Sequence, residues 1–369
     1  MYSENKLRVS VLRVMVYLLL VSFANPHLAK WTAEQLSVFR NSPFDGVASA
    51  IESAYFTGSV PDISQFEQAI QLCKRAQVCV WPWVFLNRMI AVDPAGRSHS
   101  GGSGKEYFRR IKAMDLDDEV GARSDFIKLW RLALRLARQL DAPGIVADFE
   151  AYNNYLAYDP RWLAQRRGES VDEVIRKLRE LGAELADVVA EEYPDAIIWQ
   201  LFFDPYNKPY KTPDGRSFTR SVNYINLGLL DRAKELGIRP VLIDGAEVAL
   251  GYYQPSLEAL RSSIARHKER TKPFLSKYEG LLELGATIAP YADYRLITGW
   301  IKKRSGDNPP WKKASDFKPL FRELLSSYRY VWIYAAGAAK FYPYNPTVAE
   351  PIFRALSQAR EEISGRQGG

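Results

Sequence analysis

The chain has 369 residues, too many for one small core but suitable for a barrel-sized domain. Its hydrophobic content of 47%, charged content of 25% and net charge of +7 are ordinary for a globular protein. The sequence has no dense Lys/Arg run, so nucleic-acid binding is not indicated. Two cysteines and three scattered histidines argue against a disulfide framework, a zinc centre or a Ser-His-Asp triad. Acid–base chemistry in this chain is therefore expected to rest on carboxylates.

The N-terminal apolar run, residues 9–24, has two interpretations. It follows a basic start and fits a secretory signal peptide over 1–24, cleaved after Ala24, which would make the protein secreted. It also fits a buried first strand within 12–23, and then the protein is expected in the cytoplasm. Arg13 interrupts the run and argues against a stable membrane span.

From Thr32 onward, helical and strand patterns alternate. Capping boxes at Thr32 and Ser170 predict the start of two helices, and Gly237 predicts the end of another. Further helices are predicted over 65–74, 124–140, 221–236, 255–283, 316–327 and 348–363. A turn that leads into a strand is predicted over 44–51, and further strands are predicted over 78–85, 144–150, 195–204, 239–244, 285–289 and 330–335.

Strands that alternate with helices predict a parallel sheet. An eight-stranded barrel needs one more strand before the Thr32 helix, and only 12–23 can supply it, so the strand interpretation of that run is favoured over the signal peptide. The composition does not change along the chain. We therefore expect residues 1–369 to form a single (β/α)8 TIM barrel with long strand-to-helix loops.

The stretch 144–153 carries the strongest functional signal. Alternation along a strand places Val146, Asp148 and Glu150 on one face. Uncompensated buried charge costs about several kcal/mol, so the acidic pair is expected at the mouth of a site rather than in a core. Active sites of such barrels lie at the carboxyl ends of the strands. Other acidic or amide side chains predicted at strand ends are Gln200, Asp204, Asp244 and Glu247.

Aromatic residues cluster after the same strand ends, in loops that are usually polar. Aromatic rings pack against the apolar faces of sugars, while a hydroxyl or indole N–H binds their polar edges. The predicted substrate-binding residues are Tyr152, Asn153, Gln200, Asp204, Tyr206, Tyr252, Tyr291, Trp300, Trp332 and Tyr334.

Four short motifs resemble those of glycoside-hydrolase-type (β/α) barrels. They are 44–47 (Phe-Asp-Gly-Val), 148–152 (Asp-Phe-Glu-Ala-Tyr), 244–247 (Asp-Gly-Ala-Glu) and 330–334 (Tyr-Val-Trp-Ile-Tyr). The resemblance spans nearly the whole chain and indicates no single family. It implies an enzyme that cleaves a glycosidic bond in an oligo- or polysaccharide.

Glycoside hydrolysis requires a protonated carboxyl that donates to the leaving oxygen and a second carboxylate that attacks or activates water. Glu150 is the predicted acid, its pKa raised by the neighbouring Asp148, which also orients the site. Asp244 or Glu247 is the predicted second carboxylate. The expected partner is a carbohydrate, without cofactor or metal.

Two alternatives remain open. A divalent-metal enzyme could use Asp148, Glu150 and Asp244 as oxygen ligands. A barrel of the same fold could also bind glycans without cleaving them.

Overall fold

Eight parallel strands close into a barrel in which each strand pairs with its neighbours in chain order and the last strand pairs with the first. The computed structural model describes residues 18–40, 42–51, 60–85, 91–92, 112–113, 122–149, 160–201, 203–204, 210–211, 214–247, 249–290, 314–335 and 346–367. The barrel strands are β1 (Leu18–His27), β2 (Gly46–Ala50), β3 (Val80–Phe85), β4 (Gly144–Asp148), β5 (Ile197–Gln200), β6 (Val241–Asp244), β7 (Leu282–Ile288) and β8 (Tyr330–Ala335). The predicted (β/α)8 fold class is confirmed.

The outer layer consists of helices that follow the strands. They are α1 (Ala33–Arg40), α2 (Glu67–Ala76), α3 (Ala122–Gln139), α4 (Pro160–Arg167), α5 (Val171–Glu192), α6 (Ser221–Leu236), α7 (Leu257–Lys277), α8 (Ala314–Ser327) and α9 (Pro346–Gln367). Two small antiparallel pairs join Ala91–Val92 to Lys112–Ala113 and Tyr210–Lys211 to Ser217–Phe218. Within the described ranges, none of these helices has the length and apolar character needed to cross a membrane.

Predicted signals at the helix ends appear in the structure. The Thr32 amide donates to Gln35 Oε1 at 2.9 Å, and the Gln35 amide donates to Thr32 Oγ1 at 3.3 Å, the two reciprocal bonds of a capping box. Ser170 Oγ accepts from the Glu173 amide at 3.1 Å at the start of α5. Gly237 ends α6 with φ +67°, a left-handed conformation that glycine adopts without steric cost.

Helices α5 and α6 pack backbone to backbone. A Cβ atom at Gly182 would lie 1.9 Å from Ile225 O, and one at Gly228 would lie 2.1 Å from Arg179 O, so neither position accepts a side chain without moving a helix. An ion pair between Arg232 Nε and Asp187 Oδ1 at 2.9 Å also joins the two helices. The close approach determines where α6 begins relative to the barrel.

Tryptophan side chains fill the barrel interior. The ring centroids of Trp81 and Trp199 are 6.3 Å apart, those of Trp199 and Trp332 are 6.1 Å apart, and those of Trp83 and Trp332 are 5.6 Å apart. These residues lie on β3, β5 and β8, which are not neighbours in the sheet. The rings therefore meet across the interior, and they identify the inward face of each of these strands.

Strand β1 lies between β2 and β8 and closes the barrel. It spans Leu18–His27, so it overlaps the predicted strand at 18–23, while residues 12–17 lie outside the described residues. Cleavage after Ala24 would remove most of β1. The two interpretations of the N-terminal run thus differ in whether the barrel retains its first strand.

Deleting residues 1–24 is expected to give insoluble or unfolded protein, because β2 and β8 would both lose a paired neighbour. A matched deletion of residues 1–15, which leaves β1 complete, is expected to remain soluble. Solubility and cooperative thermal melting by circular dichroism provide the measurement. A soluble 25–369 chain with a cooperative melt would contradict the strand interpretation and support a signal peptide.

Candidate active site

Asp148 and Tyr334 face the inside of the barrel at its carboxyl end. Tyr334 lies two positions after the interior residue Trp332, so strand alternation directs it inward. Asp148 pairs with Phe85, which lies two positions after the interior residue Trp83, and residues paired across parallel strands share a face. Asp148 is only 2% exposed.

The strand register also places Asp148 and Tyr334 at one height. The Cα pairs, followed once around the closed barrel, shift by about eight residues, the shear of a TIM barrel. Residues at the same height along the barrel axis are therefore offset from the paired residues by about one position for each strand crossed. With this offset, Asp148 on β4 lies at the height of Tyr334 on β8 and of Ala50 on β2. Asp148, Tyr334 and Ala50 form the upper inward layer of the barrel.

Glu247, Tyr252 and Tyr334 form a contact cluster at this layer, called here the mouth cluster. The rings of Tyr252 and Tyr334 are stacked, with centroids 4.6 Å apart and planes inclined by 28°. The Tyr252 hydroxyl donates a hydrogen bond to Glu247 Oε1. The Ala289 amide donates to Tyr252 O at 3.0 Å, which ties the segment to the end of β7. A carboxylate from the loop after β6 is thereby held beside the end of β8.

Tyr253 borders the mouth cluster, with its ring centroid 6.3 Å from that of Tyr252. Burial raises the pKa of Tyr253 to about 12, because the phenolate is poorly solvated there. Tyr253 is thus a neutral phenol at neutral pH and adds no charge beside Glu247.

Asp244 lies on the opposite side of the barrel wall. It pairs with Gln200 one residue beyond the inward-facing Trp199, so both side chains point outward. Asp244 Oδ2 lies 2.9 Å from His267 Nε2 on α7, and His267 Nδ1 lies 2.9 Å from Tyr328 Oη. The side chains of Asp244 and His267 are fully buried. The structure thus separates Asp244, one of the two predicted partners of Glu150, from the mouth.

This Asp244–His267–Tyr328 chain is a structural link between the barrel wall and the helices. Asp244 Oδ1 also accepts from the Ala246 amide at 2.8 Å, at a residue with φ +56°. Burial, together with the nearby charge of Asp244, raises the pKa of Tyr328, which keeps its hydroxyl proton. A buried network of this kind stabilises the fold only while every partner is present.

The role of His267 was not predicted, because the three histidines lie far apart in the sequence. A signal was available: on α7, Leu260, Ile264, His267 and Thr271 recur at helical spacing, and all four are buried. A histidine on a buried helix face requires a polar partner, and the outward Asp244 provides it.

Gln200 and Asp204, two predicted substrate-binding residues, are buried beside α6. Gln200 Nε2 lies 3.4 Å from Asn226 Oδ1, outside the barrel wall. Asn223 Nδ2 donates to Asp204 O at 2.7 Å, and the Asp204 amide donates to Asn223 Oδ1 at 3.0 Å. Asn223, which was not predicted, therefore holds the segment after β5 against the helix.

Of the remaining predicted residues, Trp332 is fully buried among Trp83 and Trp199 and packs the interior rather than the rim. Tyr334 is partly exposed above it. The predicted site residues that lie outside the described residues are Glu150, Tyr152, Asn153, Tyr206, Tyr291 and Trp300.

The alternative of a metal site formed by Asp148, Glu150 and Asp244 does not fit this geometry. Asp148 faces the interior, and Asp244 faces the helices from the other side of the wall. Among the described residues, no three His, Cys, Asp or Glu side chains are grouped so that they could hold a metal ion. These two aspartates cannot ligate one ion without a rearrangement of the barrel.

No family model matches the chain, and no curated protein matches it. Similar solved structures include a GH18 chitinase from Pseudoalteromonas aurantia, with 12% identity, 92% of this chain and 99% of that chain covered, and a TM-score of 0.43. A glycoside hydrolase family 5 enzyme from Prevotella bryantii B14 has 9% identity, 93% and 96% coverage, and a TM-score of 0.45. A sugar phosphate isomerase/epimerase from Parabacteroides distasonis has 10% identity, 92% and 96% coverage, and a TM-score of 0.43. Similarities at this level identify no single family and carry no argument about function.

Replacing Asp244 with Asn is expected to destabilise the protein by about 1–3 kcal/mol, because His267 loses its charged partner in a buried position. Asp195 is exposed, so Asp195→Asn is the matched control and should change the free energy of unfolding by less than about 0.5 kcal/mol. Denaturant melts provide the measurement. An Asp244→Asn protein as stable as the wild type would contradict a structural role.

Proposed function

We propose that this protein is a glycoside hydrolase that cleaves a glycosidic bond in an oligo- or polysaccharide at the carboxyl end of the barrel. The observation that carries the proposal is the mouth cluster, in which Tyr252 holds the Glu247 carboxylate beside Tyr334 at the layer that Asp148 enters. Carboxylates from two different strand ends, next to partly exposed aromatic rings, supply the groups that glycoside hydrolysis needs.

Glu150 is the proposed general acid. It follows Asp148, the last residue of β4, by two positions in the sequence. Two neighbouring carboxyl groups at a partly desolvated mouth do not both ionise easily, which favours a retained proton. Glu150 would give this proton to the leaving glycosidic oxygen.

Glu247 takes the second carboxylate role in place of Asp244. Its Oε1 accepts from the Tyr252 hydroxyl, a bond that orients the carboxylate. It would attack the anomeric carbon or remove a proton from the attacking water. A separation from Glu150 of about 5–5.5 Å corresponds to retention, and one of about 6.5–9.5 Å to inversion. Asp148 would orient the acid and adjust its proton affinity.

The partly exposed Tyr334 provides a surface for a sugar ring. Its ring is held in one orientation by the stacked Tyr252, so little side-chain entropy is lost when a ligand packs against it. A glycan-binding barrel without catalysis would use the same surface, and hydrolysis measured beside binding separates the two functions.

Glu150→Gln and Glu247→Gln should each lower kcat by about 100-fold or more, which is the usual contribution of a general acid or base to the rate. Reducing-sugar release from a panel of oligosaccharides is the measurement, with Asp195→Asn as the control. Substrates with good leaving groups should suffer less in Glu150→Gln, because they need no proton. If both variants keep full activity on a substrate that the wild type cleaves, this site assignment is wrong. If the wild type binds oligosaccharides and cleaves none, the glycan-binding alternative holds.

Tyr252→Phe tests the positioning of Glu247. The variant removes the hydroxyl that donates to Glu247 and keeps the stacked ring. A carboxylate that loses this hydrogen bond is held less firmly in the reacting orientation, so kcat should fall while KM changes little. Tyr253→Phe is the matched control and should keep the wild-type kcat. An unchanged kcat in Tyr252→Phe would separate this tyrosine from the catalytic carboxylate.

A further inference from the structure

His27 is the last residue of β1 and lies at the carboxyl end of the barrel. It pairs with Ala50, the last residue of β2, which belongs to the upper inward layer together with Asp148 and Tyr334. The pairing of β1 with β2 shifts register between Ser22 and His27, so β1 leaves its regular path just before this histidine. A titratable side chain therefore stands where the first strand passes into the outer layer, next to the layer of the candidate site.

The imidazole of His27 makes two contacts that join neighbouring elements. Its Nδ1 accepts a hydrogen bond from the Ala29 amide at 3.2 Å and thereby caps the short 3₁₀ helix Leu28–Lys30. Its ring stacks on that of the buried Phe66, with centroids 5.9 Å apart and planes inclined by 13°. Phe66 is the N-cap residue of α2. One side chain therefore connects the end of β1 to the start of α2.

The hydrogen bond from the Ala29 amide selects the protonation state of the His27 ring. An amide N–H needs a lone pair on Nδ1, and this lone pair exists only when Nδ1 carries no proton. The neutral ring with its proton on Nε2 meets this condition, whereas the imidazolium ion has a proton on both nitrogens. Protonation of His27 therefore replaces an attraction to the amide by a repulsion between two N–H groups.

The surroundings of His27 also favour the neutral ring. Burial lowers the pKa of His27, and the Lys30 ammonium lowers it further, while a hydrogen bond to the Ile51 backbone acts against both. The acids on the segment that packs against the ring, Asp62 and Glu67, are exposed, so solvent screens their charge. His27 therefore takes up a proton only in more acidic solution than a free histidine does.

A cleft lies beside these contacts. It has a volume of about 600 Å³ and is lined by Ala29 and Trp31 together with residues of α2 such as Glu67 and Ile70. Space that a cleft occupies is not filled by packed side chains, so it adds no attraction between the elements that line it. The contacts of His27 therefore carry a larger share of the attachment between the 3₁₀ helix Leu28–Lys30 and α2.

We propose that His27 is a pH-sensitive latch between the end of β1 and the start of α2, closed when the imidazole is neutral and released when it takes up a proton. Release removes the acceptor of the Ala29 amide and displaces the ring stacked on Phe66, and it acts on the upper inward layer through Ala50. The proposal requires no catalytic activity.

The direction of the pH effect follows from the preference of the folded protein for the neutral ring. Because the pKa of His27 is lower in the folded protein than in the unfolded chain, the unfolded chain takes up the proton at the higher pH. The stabilisation by the latch is therefore complete above about pH 6.5, the ordinary pKa of histidine, and is lost as the pH falls below that value.

Denaturant melts of the full chain at about pH 8 and about pH 5 test the latch. His27→Asn is the informative variant, because its side-chain oxygen can accept the Ala29 amide and cannot be protonated in this range. From the higher to the lower pH, the unfolding equilibrium constant of the wild type should rise about 3- to 10-fold more than that of His27→Asn, since one pKa unit corresponds to a factor of 10.

Two further variants serve as controls. His27→Ala lacks the acceptor and should be less stable than His27→Asn at both pH values. Ser170→Ala removes an uncharged cap from α5, so it should lower stability while keeping the pH dependence of the wild type. Equal pH dependence of the wild type and His27→Asn overturns the proposal, whether or not the protein hydrolyses glycans.

Proton uptake by His27 itself is followed by NMR titration of the full chain with its three histidine rings labelled with nitrogen-15. The signal that disappears in His27→Asn belongs to His27. Its midpoint should lie below about pH 6.5, and above that pH its two ring nitrogens should show the proton on Nε2. A midpoint at or above about pH 6.5, or a neutral ring with its proton on Nδ1, overturns the proposal.

Discussion

The alternation of side chains along closed, parallel strands is the constraint on which the rest of this structure depends. Because the barrel is closed, each strand residue points either into an interior filled by tryptophan rings or outward to the helices. A strand shifted by one residue would exchange the two sets. The positions of Asp148 and Asp244 follow from this rule: one carboxylate enters the upper inward layer, and the other meets a histidine behind the wall.

The interior packing explains why the proposed site lies above the barrel and not within it. Trp81, Trp199 and Trp332 meet across the interior and leave it as a packed core. Only the last inward residues of the strands and the loops beyond them can contact a ligand. The mouth cluster belongs to this level, with Glu247 and Tyr252 from the loop after β6 and Tyr334 from the end of β8.

Polar side chains that point outward from the barrel strands join the strands to the helices. Gln200 faces Asn226 on α6, and Asp244 faces His267 on α7, so helices are joined to strands by buried polar contacts in addition to apolar packing. Such contacts impose one arrangement of the helices, since a displaced helix would leave buried groups unpaired. The Gly182 and Gly228 contacts between α5 and α6 add a steric constraint, and together these contacts determine where the first turn of α6 lies.

The sequence alone determined the fold class, because hydrophobic period, capping boxes and helix-ending glycines are local signals. It placed strands and helices in alternation and predicted acids at several strand ends. Which of those acids share the mouth was decided only by tertiary structure. Asp148 and Asp244 look equivalent in sequence, since each ends a strand. The strand register of the closed eight-stranded barrel decides which of the two side chains points inward. A local sequence pattern does not contain this register.

The same reason explains the residues that the sequence did not indicate. His267 and Tyr328 acquire their roles through Asp244, which is distant from both in the chain. Trp332 looked like a rim aromatic and lies in the core, because it packs against Trp83 from a strand on the other side of the barrel. The role of Tyr252 depends on two contacts, a stacked ring from β8 and a carboxylate from its own loop. Contacts between distant segments form only when the barrel closes, and a linear pattern does not specify them.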